Sequence, residues 1–120
     1  MASEIGWIDT TGNAFVSILL AEGQTIEFLI DTGFNGELML PFGVAENLNL
    51  PITGEENYVV VGGETLTSPT SIAQISWLGT IRAAEVILSS GPDQLIGTEL
   101  LRGTLLKIDY INRLVEIEKP

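Results

Sequence analysis

The sequence predicts a small all-β domain, a closed barrel or sandwich with one or two short helices, and three observations carry that prediction. Apolar stretches are short and rich in β-branched residues, turn signals recur between them, and no stretch keeps a long helical period. At 120 residues the chain has the commonest size of a single domain, so one domain over residues 1–120 is expected. Hydrophobic residues at 45% against 18% charged, spread along the whole length, favour a packed globule over a disordered chain.

The first clear pair of strands is Ala14 to Leu20 and Thr25 to Asp31, two β-branched runs around the polar connection Ala-Glu-Gly-Gln at 21–24. The second runs directly into Asp31-Thr32-Gly33. A short apolar piece, Glu37 to Leu40, precedes Pro41 and a segment with Val44, Ala45 and Leu48 on one face, enough for one or two helical turns. Tyr58 to Val61 and Glu64 to Ser68 flank Gly62-Gly63, a hairpin with a flexible tip. Thr70 to Trp77 and Thr80 to Leu88 form another hairpin through Leu78-Gly79. The loop signal Ser89 to Pro92 leads to Gln94–Gly97 and a short helix, Thr98 to Arg102, with Thr98 as its expected N-cap. Thr104 to Asp109 and Leu114 to Glu118 alternate apolar and polar residues around a turn at 110–113.

Composition removes whole classes of chemistry. Sixteen acidic and five basic residues give a net charge of −11, which argues against nucleic acid as a ligand because phosphate tracking rests on Lys and Arg. Without cysteine there are no disulfides, thiolate nucleophiles or Cys-type zinc sites. Without histidine, Ser-His-Asp triads, histidine metal sites and imidazole acid-base catalysis are excluded as well. The start lacks a basic and then apolar leader, and no apolar run approaches the ~20 residues of a membrane span, so a soluble, cytoplasmic protein without a membrane partner is expected. Acid-base chemistry on this chain falls to carboxylates. The carboxylates lack calcium-loop spacing, and neither a metal nor a cofactor is expected.

Asp31-Thr32-Gly33 is the motif that carries chemistry. A buried strand fixes the position of the aspartate, the Thr32 hydroxyl can bond backbone, and Gly33 permits a tight turn that brings main chain close to a ligand. Its context is FLIDTGFNGELMLP, a glycine-tipped hairpin about thirty residues on, and then LIGTELL. In content and order these segments resemble the retropepsin-like aspartic proteases, in particular prokaryotic single-domain members whose motif reads Asp-Thr-Gly-Phe, here Asp31 to Phe34. The resemblance covers residues 12 to 118, including the terminal segment LLKIDYINRLVEIE.

That resemblance implies a retropepsin-like acid-protease fold and an aspartic endopeptidase. Such enzymes hold two carboxylates ~3 Å apart that share one proton. One chain contains one Asp-Thr-Gly, since Asp9, Asp93 and Asp109 are not followed by Thr/Ser-Gly. The resemblance therefore implies a homodimer that places Asp31 beside its own copy, acting on a peptide or protein substrate. Thr32 is expected to bond across the two-fold axis, Gly33 to leave room for substrate, and the Gly62-Gly63 hairpin to close as a flap. Gly97 and its neighbours are expected to support the active-site loop from behind.

Retroviral members place a small and then an acidic residue after the glycine, where this chain has Phe34-Asn35-Gly36. Phe34 and Asn35, with Gly62 and Gly63, are the expected substrate-side residues. The changed loop and the acidic surface also motivate an alternative: a non-catalytic homodimeric peptide- or protein-binding module on the same fold. A third reading is a regulatory protease controlled by dimerisation. Trp7 and Trp77 are read as packing residues, and Glu55-Glu56 as a solvated loop pair.

Overall fold

The computed structural model describes residues 2–20 and 23–120. Ten strands and two short helices follow one another: β1 (Ser3–Ile8), β2 (Ala14–Leu20), β3 (Thr25–Ile30), β4 (Leu38–Pro41), α1 (Phe42–Asn47), β5 (Gly54–Val59), β6 (Thr65–Trp77), β7 (Thr80–Ser89), β8 (Leu95–Ile96), α2 (Thr98–Leu101), β9 (Leu105–Asp109) and β10 (Leu114–Glu118). The all-β expectation is met, and most elements fall within a residue or two of their expected bounds. The 21–24 connection lies partly on residues 21 and 22, outside the described residues.

The strands form one sheet in the order β5-β6-β7-β4-β8-β3-β2-β1-β10-β9, and a further pairing of β6 with β2 closes part of it. Leu19 and Leu20 pair with Ser76 and Ile75, so β6, β7, β4, β8, β3 and β2 make a closed ring. Closure removes the open edges of those six strands. Their alternate residues point inward and make the core, including Val16, Ile18, Phe28, Leu38, Ile75, Val86 and Ile96, each at most 1% exposed. Strand β5 extends one end of the ring as an edge strand, and β1, β10 and β9 extend the other.

At the level of elements the structure departs from the sequence reading in three places. β1 was not foreseen, because its six residues include Gly6 and are held by distant partners: Ser3 to Trp7 pair with Glu118 to Leu114. Gly6 is buried against the Phe15 carbonyl, where a Cβ would collide. Strand β6 runs unbroken through Pro69, joining two runs expected to be separate. Pro69 pairs with Glu55 on β5, whereas the β7 ladder starts one residue later, at Thr70, so its missing N–H costs no bond to a second strand. Finally, Gly97 rather than Thr98 is the N-cap of α2.

Outside the Asp31 loop, single side chains follow expectation except at Glu55 and Glu56. Ala45 and Leu48 are buried and Val44 packs against them, as the expected helical face requires. Trp77 is in the core and Trp7 stacks on Phe15 with ring centroids 5.8 Å apart. Glu55 and Glu56 are exposed but belong to β5 rather than to a loop.

Candidate active site

The Asp31 loop is suspended between two strands that do not pair with each other. β3, which leads into it, pairs in parallel with β8, and β4, which leaves it, pairs antiparallel with the same β8. The central strand is only Leu95–Ile96, but both residues are buried and bonded on both sides. The Leu29 N–H donates to the Gln94 carbonyl at 2.8 Å and the Asp31 N–H to the Ile96 carbonyl at 3.0 Å. Asp31 is therefore positioned by backbone on a rigid frame.

The loop then turns tightly. The Phe34 N–H donates to the Asp31 carbonyl at 3.1 Å, and the Gly33 N–H donates to Asp31 Oδ1 at 2.9 Å. A backbone donor thus fixes the carboxylate. Among the described residues no Lys or Arg pairs with Asp31, so the group is not an ion-pair partner. Thr32 and Gly33 are exposed at the surface of the turn.

Asp9 and Asp109 make a physical contrast. Asp9 Oδ1 accepts from the Thr11 and Asn13 N–H groups and the Thr11 hydroxyl. Those bonds, that from Asn13 foremost, hold its carboxyl below the ordinary range. Asp109 accepts from the N–H groups of Ile111 and Asn112 and from the Asn112 side chain, which lowers its pKa in the same way. Both serve as turn caps. Asp31 alone occupies a strand end within the double frame of β8.

Support from behind comes from the start of α2. Gly97 N–H donates to the Glu37 carbonyl at 3.0 Å, Thr98 N–H to the Phe34 carbonyl at 2.9 Å and Glu99 N–H to the Gly36 carbonyl at 3.1 Å. Three consecutive donors thus hold the outgoing half of the loop. Gly97 is required by the close approach, since a Cβ there would lie 2.6 Å from both Cδ2 and O of Phe34.

Phe34 departs from expectation. Its side chain is fully buried in a second small core with Met39, Tyr58, Ile87 and Leu95, and meets Tyr58 edge to face at 5.9 Å. It plugs the underside of the loop and offers no surface to a ligand, so its expected substrate contact is replaced by a structural role.

Asn35, Gly62 and Gly63 lie on the open side. Gly62 and Gly63 form the hairpin tip with φ of 98° and 84°, values that favour glycine. Val60 and Glu64 close the tip, the Val60 N–H donating to the Glu64 carbonyl at 3.1 Å. The hairpin reaches back to the loop: the Val59 N–H donates to Asn35 Oδ1 at 2.7 Å. At the tip, Val61 rests against Gly33, where a Cβ would collide with Val61 Cγ2 and sit 3.2 Å from Asp31 Oδ1. Sequence reading brought out neither contact, because the partners are far apart in the chain.

Beside Asn35 and Gly36 opens a cleft of 390 Å³ lined by Glu37, Glu56, Glu85 and Glu99 together with Tyr58 and Ile87. Glu37 pairs with Arg82 and accepts from the Glu85 N–H at 2.9 Å. Burial, then the charges of Glu56 and Glu37, push the Glu85 carboxyl above its ordinary pKa. The described residues include no helix long and apolar enough to cross a membrane, and no grouping of three or more residues suited to a metal ion.

No family model matches the chain. An uncharacterized protein from Archaeoglobus fulgidus is 31% identical over 110 residues, which cover 88% of this chain and 86% of the archaeal one. Among solved structures, a retropepsin-like aspartic protease from Rickettsia conorii superposes with a TM-score of 0.60 over 96% of this chain and 89% of its own, at 21% sequence identity. The chain accordingly belongs to one family with the archaeal protein, and its fold is that of the retropepsin-like aspartic proteases.

Proposed function

We propose that the chain is an aspartic endopeptidase that works as a homodimer, with Asp31 contributed by each copy. The observation that carries this reading is the placement of Asp31, backbone-fixed at a strand end within the β8 frame and bonded to Gly33 N–H rather than to a cation. Two such carboxylates facing each other across a two-fold axis share one proton, because like charges ~3 Å apart do not both ionise. The ionised one takes a proton from water as the water oxygen attacks the peptide carbonyl carbon. The protonated one gives its proton to the carbonyl oxygen. Collapse of the tetrahedral adduct breaks the C–N bond: the leaving nitrogen takes the proton that the first carboxylate removed from water, and a hydroxyl proton of the adduct returns to the second carboxylate. In this reading Thr32 bonds across the axis, and Asn35 with the Gly62-Gly63 hairpin faces the substrate.

The test is a digest of denatured protein and a peptide library between about pH 3 and 7, the range in which a dyad is singly protonated, with wild type and Asp31→Asn. Cleavage by wild type that is lost in the variant is the expected result. Cleavage that persists in a variant preparation free of contaminating protease overturns the reading. A wild-type chain that binds extended peptides and never cleaves them identifies the non-catalytic binding module instead, the reading motivated by the acidic composition and the Phe34-Asn35-Gly36 loop.

A further inference from the structure

The hairpin tip is held down on the Asp31 loop by contacts whose cause is visible. β5 is an edge strand of the sheet, paired among the described residues only with β6. An edge strand presents N–H groups that lack a strand partner. At Val59 that donor is satisfied by Asn35 Oδ1 at 2.7 Å, a bond spanning 24 residues. Two residues on, Val61 lies on Gly33 although it is itself 75% exposed. Burial therefore does little to hold Val61 in place. Below Val59, Tyr58 is anchored in the second core against Phe34.

From this arrangement we infer that Asn35 is a positioning residue for the hairpin: its amide oxygen latches Val59, which keeps Val61 seated on Gly33 and covers the approach to Asp31. Tyr58 is the fixed end, Asn35 the latch and Val61 the cover. An extended peptide that reaches Gly33 must first lift Val61, and lifting it strains or breaks the Asn35–Val59 bond. Asn35 thus sets how readily the site opens. The significance for access rests on the reading of Asp31 as the reacting group; the latch itself does not.

The experiment follows the latch without turnover, by amide exchange and NMR on the whole protein. Asn35→Leu keeps the approximate size and removes the acceptor, whereas Asn35→Asp keeps an acceptor. The expected result is that Asn35→Leu speeds Val59 amide exchange about tenfold, the scale of one lost hydrogen bond, with Phe28 and Val115 unchanged. Asn35→Leu also removes the Val61 methyl to Gly33 Hα cross-peak and lets a soluble nitroxide broaden Gly33. Asn35→Asp preserves wild-type behaviour in all three measurements. Val61→Gly is the second variant: it exposes Gly33 to the nitroxide while Val59 stays protected. Unchanged Val59 exchange in Asn35→Leu overturns the inference. So does a Gly33 signal in Val61→Gly that is no more broadened than in wild type. Neither readout uses catalysis, so a chain that cleaves nothing can still show the latch, and an active enzyme can still lack it.

Discussion

The carbonyl oxygen of Phe34 accepts a hydrogen bond from the backbone N–H of Thr98, 2.9 Å away, and so ties the Asp31 loop to the start of α2. This bond forms only because Gly97, the preceding residue, lets the two segments touch. A Cβ at that position would collide with the Gly36 carbonyl and lie 2.6 Å from the Phe34 carbonyl. Backbone atoms cannot swing aside as a flexible side chain can. Gly97→Ala is therefore expected to lose more than about 3 kcal/mol or to fail to fold, as read by urea denaturation.

Phe34→Ala removes the largest fully buried side chain of the second core. Deleting a buried phenylalanine costs about 3–5 kcal/mol, a large share of the stability of a small domain. Tyr58 loses its edge-to-face partner in the same step, so the hairpin loosens as well as the loop. Denaturation curves give the first effect, and amide exchange at Val59 and Val60 reports the second.

Glu85 makes stability depend on pH in a direction that can be worked out. Burial first, then the charges of Glu56 and Glu37, raise its folded pKa above the ordinary 4.5. The folded chain then binds more protons than the unfolded one, and stability falls as pH rises from 4.5 through the folded value. Glu85→Gln removes the charge, so it is expected to raise the melting temperature at pH 7 by up to about 2 °C. The gain vanishes below pH 4.5, where wild-type Glu85 is neutral in both states. Thermal melts of the two proteins across this range check the sign.

Asp109 acts in the opposite sense. Its bonds to Asn112 and Ile111 lower the folded pKa below the ordinary 3.8, so the ionised side chain adds stability that is present above that value. That contribution is lost as pH falls through the folded pKa. Asp109→Ala is expected to melt lower at pH 7, with the gap to wild type narrowing below pH 3.8. A gap independent of pH counts against the carboxylate as its source.

Much of the fold is legible because its signals are local. Ala14–Leu20 is an apolar run with β-branched residues between turn signals, and its strand has those bounds. Asp31-Thr32-Gly33 was legible as a strand end running into a tight turn for the same reason: the strand and the turn adjoin in sequence. What stayed hidden is held by distant partners. Ser3–Ile8 contains a glycine and pairs across the following turn with β2 at Trp7 and Ile8 alone, so it becomes a strand chiefly through β10. Phe34 follows the motif directly, yet its direction is set by Tyr58, Ile87 and Leu95, residues that only the folded sheet brings together. The Asn35–Val59 bond is of the same kind, since an asparagine after a glycine gives no sign of which edge strand will need its oxygen.

The pairing of β1 with β10 bears on the order of events in folding. Residues 3–6 find their described strand partners only in β10, with Ser3 opposite Glu118, while β2 meets β1 at Trp7 and Ile8 alone. Joining them closes a loop of nearly the whole chain, and contacts of such sequence separation form slowly. As the chain leaves the ribosome, β1 must wait until β10 has been made, and the ring around Phe28 can assemble before it. Docking of β1 on β10 is then a late step, and substitutions there accelerate unfolding more than they retard folding.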